Sequence, residues 1–282
     1  DDDLSRGLGD VYKRQYPNLP MTGSLKALPF VKNYHFVQAP YHRSWELSAN
    51  VSANKNRGQA LTTPKNRLTR YNRRIANPSR AALALMYLDH YIGGDILTRT
   101  VKSIPKGSLS NAVLKKELSR KTDKPLDWFF DHYIHLDNNV DLKLKGKKIN
   151  AEISRIHINI SNSKVAIPIK KILSNGTQQT VWILSNDLPY EQDYKNTEIS
   201  SLTINKNHYI PERQLNNNTY QLGNGLFRNN LKLRFLQDIA ESGTALLLYR
   251  PEFAYNYYDG FLGGISIANS SILANTFRFK FS

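Results

Sequence analysis

Apolar positions along this chain change their period once. From Ser79 to Ile134 they recur every three or four residues, the spacing of a buried helix face. From Val140 onward they alternate, the spacing of a half-buried strand. The first run predicts four short helices. Ser79–Ile92 sets Ala81, Ala82, Ala84, Leu85, Leu88 and Tyr91 on a stripe, with Pro78 ahead, Ser79 as cap and Gly93-Gly94 as stop. Asp95–Val101 restarts and ends before Pro105. Ser108–Arg120 turns Leu109, Val113, Leu114 and Leu118 inward, with Ser108 or Ser110 as cap. The fourth, Pro125–Ile134, is the most apolar: Pro125 suits a first helical position and Asp127 meets the positive helix end. Its Leu126, Phe129, Phe130, Tyr133 and Ile134 share one face.

The alternating half predicts short strands at Val140–Lys145, Ile153–Ile160, Val165–Ile169, Thr180–Leu184 and Ser200–Ile204. Asn175-Gly176 marks a two-residue hairpin between Ile167–Leu173 and Thr180–Leu184. Strands at this spacing predict a small antiparallel sandwich of the immunoglobulin-like kind. Asn216-Asn217-Asn218 reads as a polar linker. Beyond it, Gly243–Tyr249, Gly260–Ala268 and Asn275–Phe281 are β-prone, with Tyr249, Phe253, Tyr255, Tyr257, Tyr258 and Phe261 clustered near a turn. Apolar alternation with an aromatic cluster fits strands of an outer-membrane barrel. The fold class is therefore α+β: an N-terminal helical subdomain, then an antiparallel immunoglobulin-like β-sandwich, then a C-terminal β segment forming a partial barrel. The expected divisions are a non-native segment at 1–15, an irregular connection at 16–78, a helical subdomain at 79–138, the sandwich at 139–215 and the β-rich tail at 216–282. Residues 16–78 are turn-rich, with Pro17, Pro20, Pro29, Pro40, Pro64 and Pro78 and one short helix expected near Trp45–Ala53. So long a loop makes sense if sequence upstream supplies the surface it lies on.

Composition adds constraints. The 282 residues are 40% hydrophobic and contain no cysteine, which removes disulfides, thiolate metal sites and thiol nucleophiles together. No run of apolar residues is long enough for a transmembrane helix. The formal net charge is +16. Between Glu46 and Asp89 there is no acid, but there are Lys55, Arg57, Lys65, Arg67, Arg70, Arg73, Arg74 and Arg80. Of these, Arg67, Arg70, Arg73, Arg74 and Arg80 are the candidate anion-binding residues. A solvated loop, an anionic-polymer surface and a lipid-headgroup surface all fit that run. No helix-turn-helix, zinc finger or RNP-like strand accompanies it, so nucleic acid is not indicated.

Candidate chemistry is sparse. The seven histidines form no ligand pattern. His132 and His135 are three apart and fit a helix C-terminus better than a chelate. His90 beside Asp89 reads as a surface pair, and Glu46 behind Trp45 as a lone carboxylate. There is no H-E-x-x-H, G-x-S-x-G elbow or P-loop.

The run Arg80-Ala81-Ala82-Leu83-Ala84-Leu85-Met86-Tyr87-Leu88-Asp89-His90-Tyr91-Ile92-Gly93-Gly94-Asp95, then Ser108–Lys121, then Leu126-Asp127-Trp128-Phe129-Phe130, resembles the rear of the catalytic domain in gluzincin zinc aminopeptidases of the membrane alanyl aminopeptidase type. The resemblance covers about residues 75–215, and Leu126, Asp127, Trp128, Phe129 and Phe130 are its structural signature. The tail from Tyr249 to Phe281 is similar to barrel segments that follow such domains in envelope proteins of Bacteroidetes-like bacteria. Gly9–Gln15 resembles a translated sequencing-adapter peptide of metagenomic reading frames. The resemblance implies a parent that hydrolyses peptides with zinc-activated water at the envelope, periplasm or outer membrane of a Gram-negative bacterium. It places the zinc helix and the third ligand upstream of residue 16, so this chain is expected to carry no metal ligand, no cofactor and no catalysis of its own. The family's transition-state Tyr falls at Pro78, and Tyr71 is the nearest substitute. Expected partners are the missing N-terminal part of the same polypeptide, the outer membrane or lipopolysaccharide, and a peptide substrate for the parent. The alternative is a basic binding module or structural envelope adaptor for an anionic polymer.

Overall fold

The structure is a computed structural model. It describes residues 29, 34, 37, 43–105, 107–137, 140–161, 164–184, 189–212, 214–222, 230–239, 243–269 and 278–282. The expectation for residues 1–15, most of the calls on 16–42 and the first part of the strand expected at 275–281 lie outside the described residues.

The fold is α+β, as the change of period requires. Helix α1 (Arg43–Asn54) leads into a loop and then into α2 (Asn77–Ile92), α3 (Ile96–Ser103) and α4 (Asn111–Ser119). Two local signals act as expected: the Ser110 hydroxyl accepts from the Val113 amide at 3.2 Å, and Gly93 leaves α2 at φ 78°. Ser79 does not cap α2. One wide π turn (Asn72–Ala76) runs straight into the helix, so Ser79 sits inside it and its hydroxyl donates back to Ile75 O at 2.7 Å.

The segment expected as an α-helix from Pro125 winds differently. Trp128–His132 forms a π turn and Tyr133–His135 a 3-10 turn. An α-helix would bury one stripe. The wider turn brings Trp128 inward as well, so Trp128, Phe129, Phe130, Tyr133 and Ile134 are all buried. Phe129 stacks on Tyr133 at 5.6 Å, and Tyr87 of α2 meets Trp128 at 4.7 Å. Each fully buried large side chain here contributes roughly 1.5–3 kcal/mol.

The sandwich has two sheets. One is β1 (Leu142–Lys148), β2 (Ile153–Ile160) and β5 (Tyr190–Lys195), in the order β1-β2-β5. The other is β3 (Ile167–Leu173), β4 (Gln178–Ile183), β6 (Ile199–Ile204) and β7 (Thr219–Gln221), in the order β4-β3-β6-β7. Every pairing is antiparallel. Leu142 and Leu144 of β1, Ile156 and Ile158 of β2, and Ile167, Ile169, Leu202 and Ile204 fill the space between. Gly146 gives room where β1 meets β7: a Cβ there would displace the outer end of the Tyr220 ring. That core is continuous with the helical one. Tyr133 donates its hydroxyl to Tyr209 O at 2.7 Å, and Tyr87 donates to Ala166 O. The expected linker at Asn216–Asn218 is part of the sandwich instead. Asn217 O accepts from Leu144 N at 3.1 Å, Asn218 O from Ile204 N at 2.9 Å, and Asn218 is fully buried.

The C-terminal sheet runs β11-β10-β9-β8, with β8 (Asn230–Phe235), β9 (Thr244–Asn256), β10 (Gly260–Ala268) and β11 (Lys280–Phe281). Among the described residues it is open and does not close into a barrel, and β8 lies parallel to β9. Register puts Leu231, Leu233 and Phe235 on one face with Tyr249, Phe253, Tyr255, Phe261, Ile265, Ile267 and Phe281. All ten are exposed, Phe253 by 68% and Tyr255 by 75%. The other face carries Lys232, Arg234, Arg250, Glu252 and Lys280, with Lys280 paired to Glu252, and also the buried Leu246, Leu248, Ser266 and Ala268. The sheet thus covers a mixed face and leaves its aromatic-rich face open, where an antiparallel sheet in water ordinarily presents polar residues.

Candidate functional site

The loop after α1 is built by side-chain amides. Asn72 Nδ2 donates to Arg57 O at 2.9 Å, Gln59 Oε1 at 3.0 Å and Thr69 Oγ1 at 2.8 Å. Gln59 holds the other limb, accepting from Thr69 N at 2.8 Å and donating to Arg67 O at 3.0 Å. These bonds fix a loop that has no regular ladder. Between it and α1 lies a cavity of about 450 Å³, within the roughly 300–1,000 Å³ of small-ligand sites. Its described walls are Val51, Ser52, Lys55, Arg57, Thr69 and Tyr71. The Tyr71 hydroxyl reaches Ser48 O at 3.4 Å, and its pKa is raised by burial against the opposing pull of Arg57. Tyr71 thus borders a pocket, with no titratable base against its hydroxyl among the described contacts.

The candidate arginines part company. Arg67, Arg70, Arg73 and Arg74 are exposed around the π turn, an accessible basic ledge. Arg80 is not on it. Arg80 is 1% exposed, and its guanidinium donates to Gln59 O and, at 2.8 Å, to Leu136 O. It ties the loop to the end of the aromatic segment and is closed to an external anion. Four residues of the signature, Leu126, Trp128, Phe129 and Phe130, are buried, while Asp127 is exposed and pairs with Lys115 at 2.8 Å. All five are structural.

Two groups that sequence reasoning treated as isolated are joined. Glu46 is not a lone carboxylate: its Oε2 lies 3.2 Å from His208 Nδ1, and the Arg43 guanidinium reaches both. Burial holds the His208 pKa below its ordinary value, so the imidazole is neutral near pH 7. His90 packs its ring against Trp182 at 5.4 Å and Tyr209 at 5.7 Å, and burial lowers its pKa too. It borders a second hollow of about 210 Å³ with Lys170, Thr180 and Lys206. His135 meets Thr62 Oγ1 at 3.0 Å, not a metal-binding partner.

The least expected group is Glu212. Its Oε1 accepts from Asn205 Nδ2 at 2.5 Å and Asn218 Nδ2 at 2.7 Å, and its Oε2 from Leu142 N at 3.1 Å. Its own amide donates to Asn50 Oδ1 of α1 at 3.2 Å. The knot joins α1 to both sheets. Full burial outweighs the three donors and pushes the Glu212 pKa up to about 8. The asparagine clustering at 205 and 216–218 is the one sequence signal that could have drawn attention to it.

Among the described residues no three His, Cys, Asp or Glu side chains come close enough to hold a metal ion. The zinc that the resemblance implies therefore finds no ligand set in these residues, and no step is routed through it. No protein-family model matches the chain, and no curated protein matches it significantly.

Proposed function

We propose that this chain is the rear, non-catalytic part of a gluzincin-like metallopeptidase, held at the cell envelope by its C-terminal sheet. The observation that carries the reading is the packing of Leu126–Ile134. This segment packs three helices, α2, α3 and α4, against a sandwich through Trp128, Phe129 and Tyr133, in the order of elements the peptidase resemblance predicts. On this reading α2 and the aromatic segment stiffen the back of a cleft. The zinc helix, its general-base carboxylate and the substrate contacts come from sequence upstream of residue 16. The reacting chemistry belongs to those upstream residues, and this chain keeps them in place.

The envelope assignment rests on the sheet. Its apolar face carries ten exposed large side chains, and its hairpin end carries Tyr257 and Tyr258, exposed by 87% and 91%. Aromatic residues beside an apolar band suit a lipid interface. Outer-membrane strands run antiparallel, so the parallel β8–β9 pair argues against a spanning barrel, and the contact proposed is by one face of an open sheet at the lipid surface. No helix among the described residues is long and apolar enough to cross a membrane.

A second reading, a module for anionic polymers, is favoured by one observation. Arg67, Arg70, Arg73 and Arg74 are exposed together in a stretch without acids. Such binding must weaken with salt, whereas apolar insertion must not.

The peptidase reading is tested by hydrolysis of leucine p-nitroanilide. This chain alone is expected to release no product with or without added zinc. The polypeptide extended upstream to its own start is expected to do so, and to lose that activity to a chelator. An extended polypeptide with no H-E-x-x-H helix, or turnover by this chain alone, overturns the reading.

A further inference from the structure

We propose that the cavity between α1 and the 57–71 loop binds an amphiphilic anion, an apolar body carrying one negatively charged head. Three independent features of its walls converge on that chemistry. The first is charge: Lys55 and Arg57 both border the cavity, both are exposed, and neither forms an ion pair among the described residues. No acid occurs between Glu46 and Asp89 to compete for them. The second is apolar surface: Val51 and the Tyr71 ring, with the aliphatic stems of the two cations, give an alkyl or aryl body something to cover. The third is an unmet hydrogen bond. Ser52 is 1% exposed and lines the cavity, yet its hydroxyl has no partner. Other α1 side chains close bonds within the helix, Ser48 Oγ to Ser44 O at 2.8 Å and Asn50 Nδ2 to Glu46 O at 2.9 Å. Ser52 does not, and a buried hydroxyl without a partner is unusual enough to call for an explanation. A head oxygen held by Arg57 supplies one once the Ser52 hydroxyl turns toward the cavity that both residues border.

Local construction supports a preformed site. Asn72 holds Arg57 O, and the Arg57 amide donates to Ser52 O at 2.9 Å, so the cationic residue is pinned to the helix that carries the hydroxyl. Tyr71 follows the amide-stapled limb at Thr69 and is placed by it. A preformed pocket spends little binding energy on ordering its own walls. None of these residues belongs to the Leu126–Ile134 core or to the C-terminal sheet. The cavity and the peptidase reading therefore stand or fall separately.

Calorimetric titration of the full chain tests this with four probes: octanoate, octyl phosphate, octylammonium and acetate. Octanoate or octyl phosphate is expected to bind with one-to-one stoichiometry. Octylammonium and acetate are each expected to bind at least tenfold more weakly. Arg57→Gln is expected to weaken the bound anion about tenfold or more, and Ser52→Ala by a smaller factor. Both changes leave the exposed sheet intact. Phe253→Ser, on that sheet, is expected to leave the affinity unchanged. The preference between carboxylate and phosphate then names the head group. Equal binding of octylammonium, equal binding of acetate, loss with Phe253→Ser, or an Arg57→Gln chain that binds as tightly as the parent overturns the proposal.

Discussion

Glu212→Ala is expected to lower the unfolding free energy by about 3 kcal/mol or more. The change strands three donors, Asn205 Nδ2, Asn218 Nδ2 and Leu142 N, in a dry interior, and each unmet buried group costs roughly 1–3 kcal/mol. Glu212→Gln keeps one acceptor oxygen, costs less and removes the proton. That variant exposes a pH signature. The folded pKa is pushed up to about 8 from an ordinary value of 4.5. Between those two values the folded state keeps a proton that the unfolded chain releases, so stability falls as pH rises through that window. Below it both states are protonated and the group contributes no slope. The parent is expected to be less stable at pH 8 than at pH 5.5, by up to about 1.4 kcal/mol per pH unit from this group. In the Gln variant this part of the slope should vanish. Denaturant midpoints across the range measure it. Parallel profiles for the two proteins would show that Glu212 ionises in the folded state as it does in water.

Arg80→Ala is the second large effect, with an expected loss of about 3 kcal/mol. The guanidinium is fully buried and supplies the donors for Gln59 O and Leu136 O. Charged hydrogen bonds of this kind are worth roughly 1.5–3 kcal/mol each, offset in part by release of the buried charge, and truncation also leaves a cavity. Arg80→Met fills the space without the donors and should recover only part of the loss. Arg73→Ala, an exposed neighbour on the ledge, should stay within about 0.5 kcal/mol of the parent. Equal effects at Arg80 and Arg73 would return Arg80 to the surface.

The contrast between these two arginines marks where reading the sequence stops. Helical and alternating periods are local, so α2, α4, β2 and the position of the Asn175-Gly176 hairpin could be placed from residues alone, although its loop is three residues, Ser174 to Gly176, and not two. Strand β5 could not. Tyr-Glu-Gln-Asp-Tyr-Lys lies at the edge of its sheet and alternates weakly, and it is held from β2 by Arg155 across to Asp193 at 2.7 Å. The π turn at Trp128 was hidden because its apolar spacing also suits an α-helix; burial of a sixth side chain, Trp128, decides between them only in three dimensions. Arg80 shares its charge with Arg70, Arg73 and Arg74, and nothing local says that it points inward. The Glu212 knot draws on residues 50, 142, 205 and 218, too far apart in sequence for any window to join. The two-residue period of β9 was legible as alternation. That its apolar side is the exposed one was not, because alternation alone cannot say which face is covered.

That exposed face ties the proposed function to the fold, and flotation with vesicles tests it most directly. Neutral phosphatidylcholine vesicles are required, because a net charge of +16 attracts the chain to anionic lipid whatever its sheet does. The chain is expected to float with neutral vesicles and to stay with them in high salt. Changing Phe253, Phe261 and Ile265 together to serine should return it to the bottom of the gradient. A chain that floats only with anionic vesicles, and is released by salt, would contradict the account.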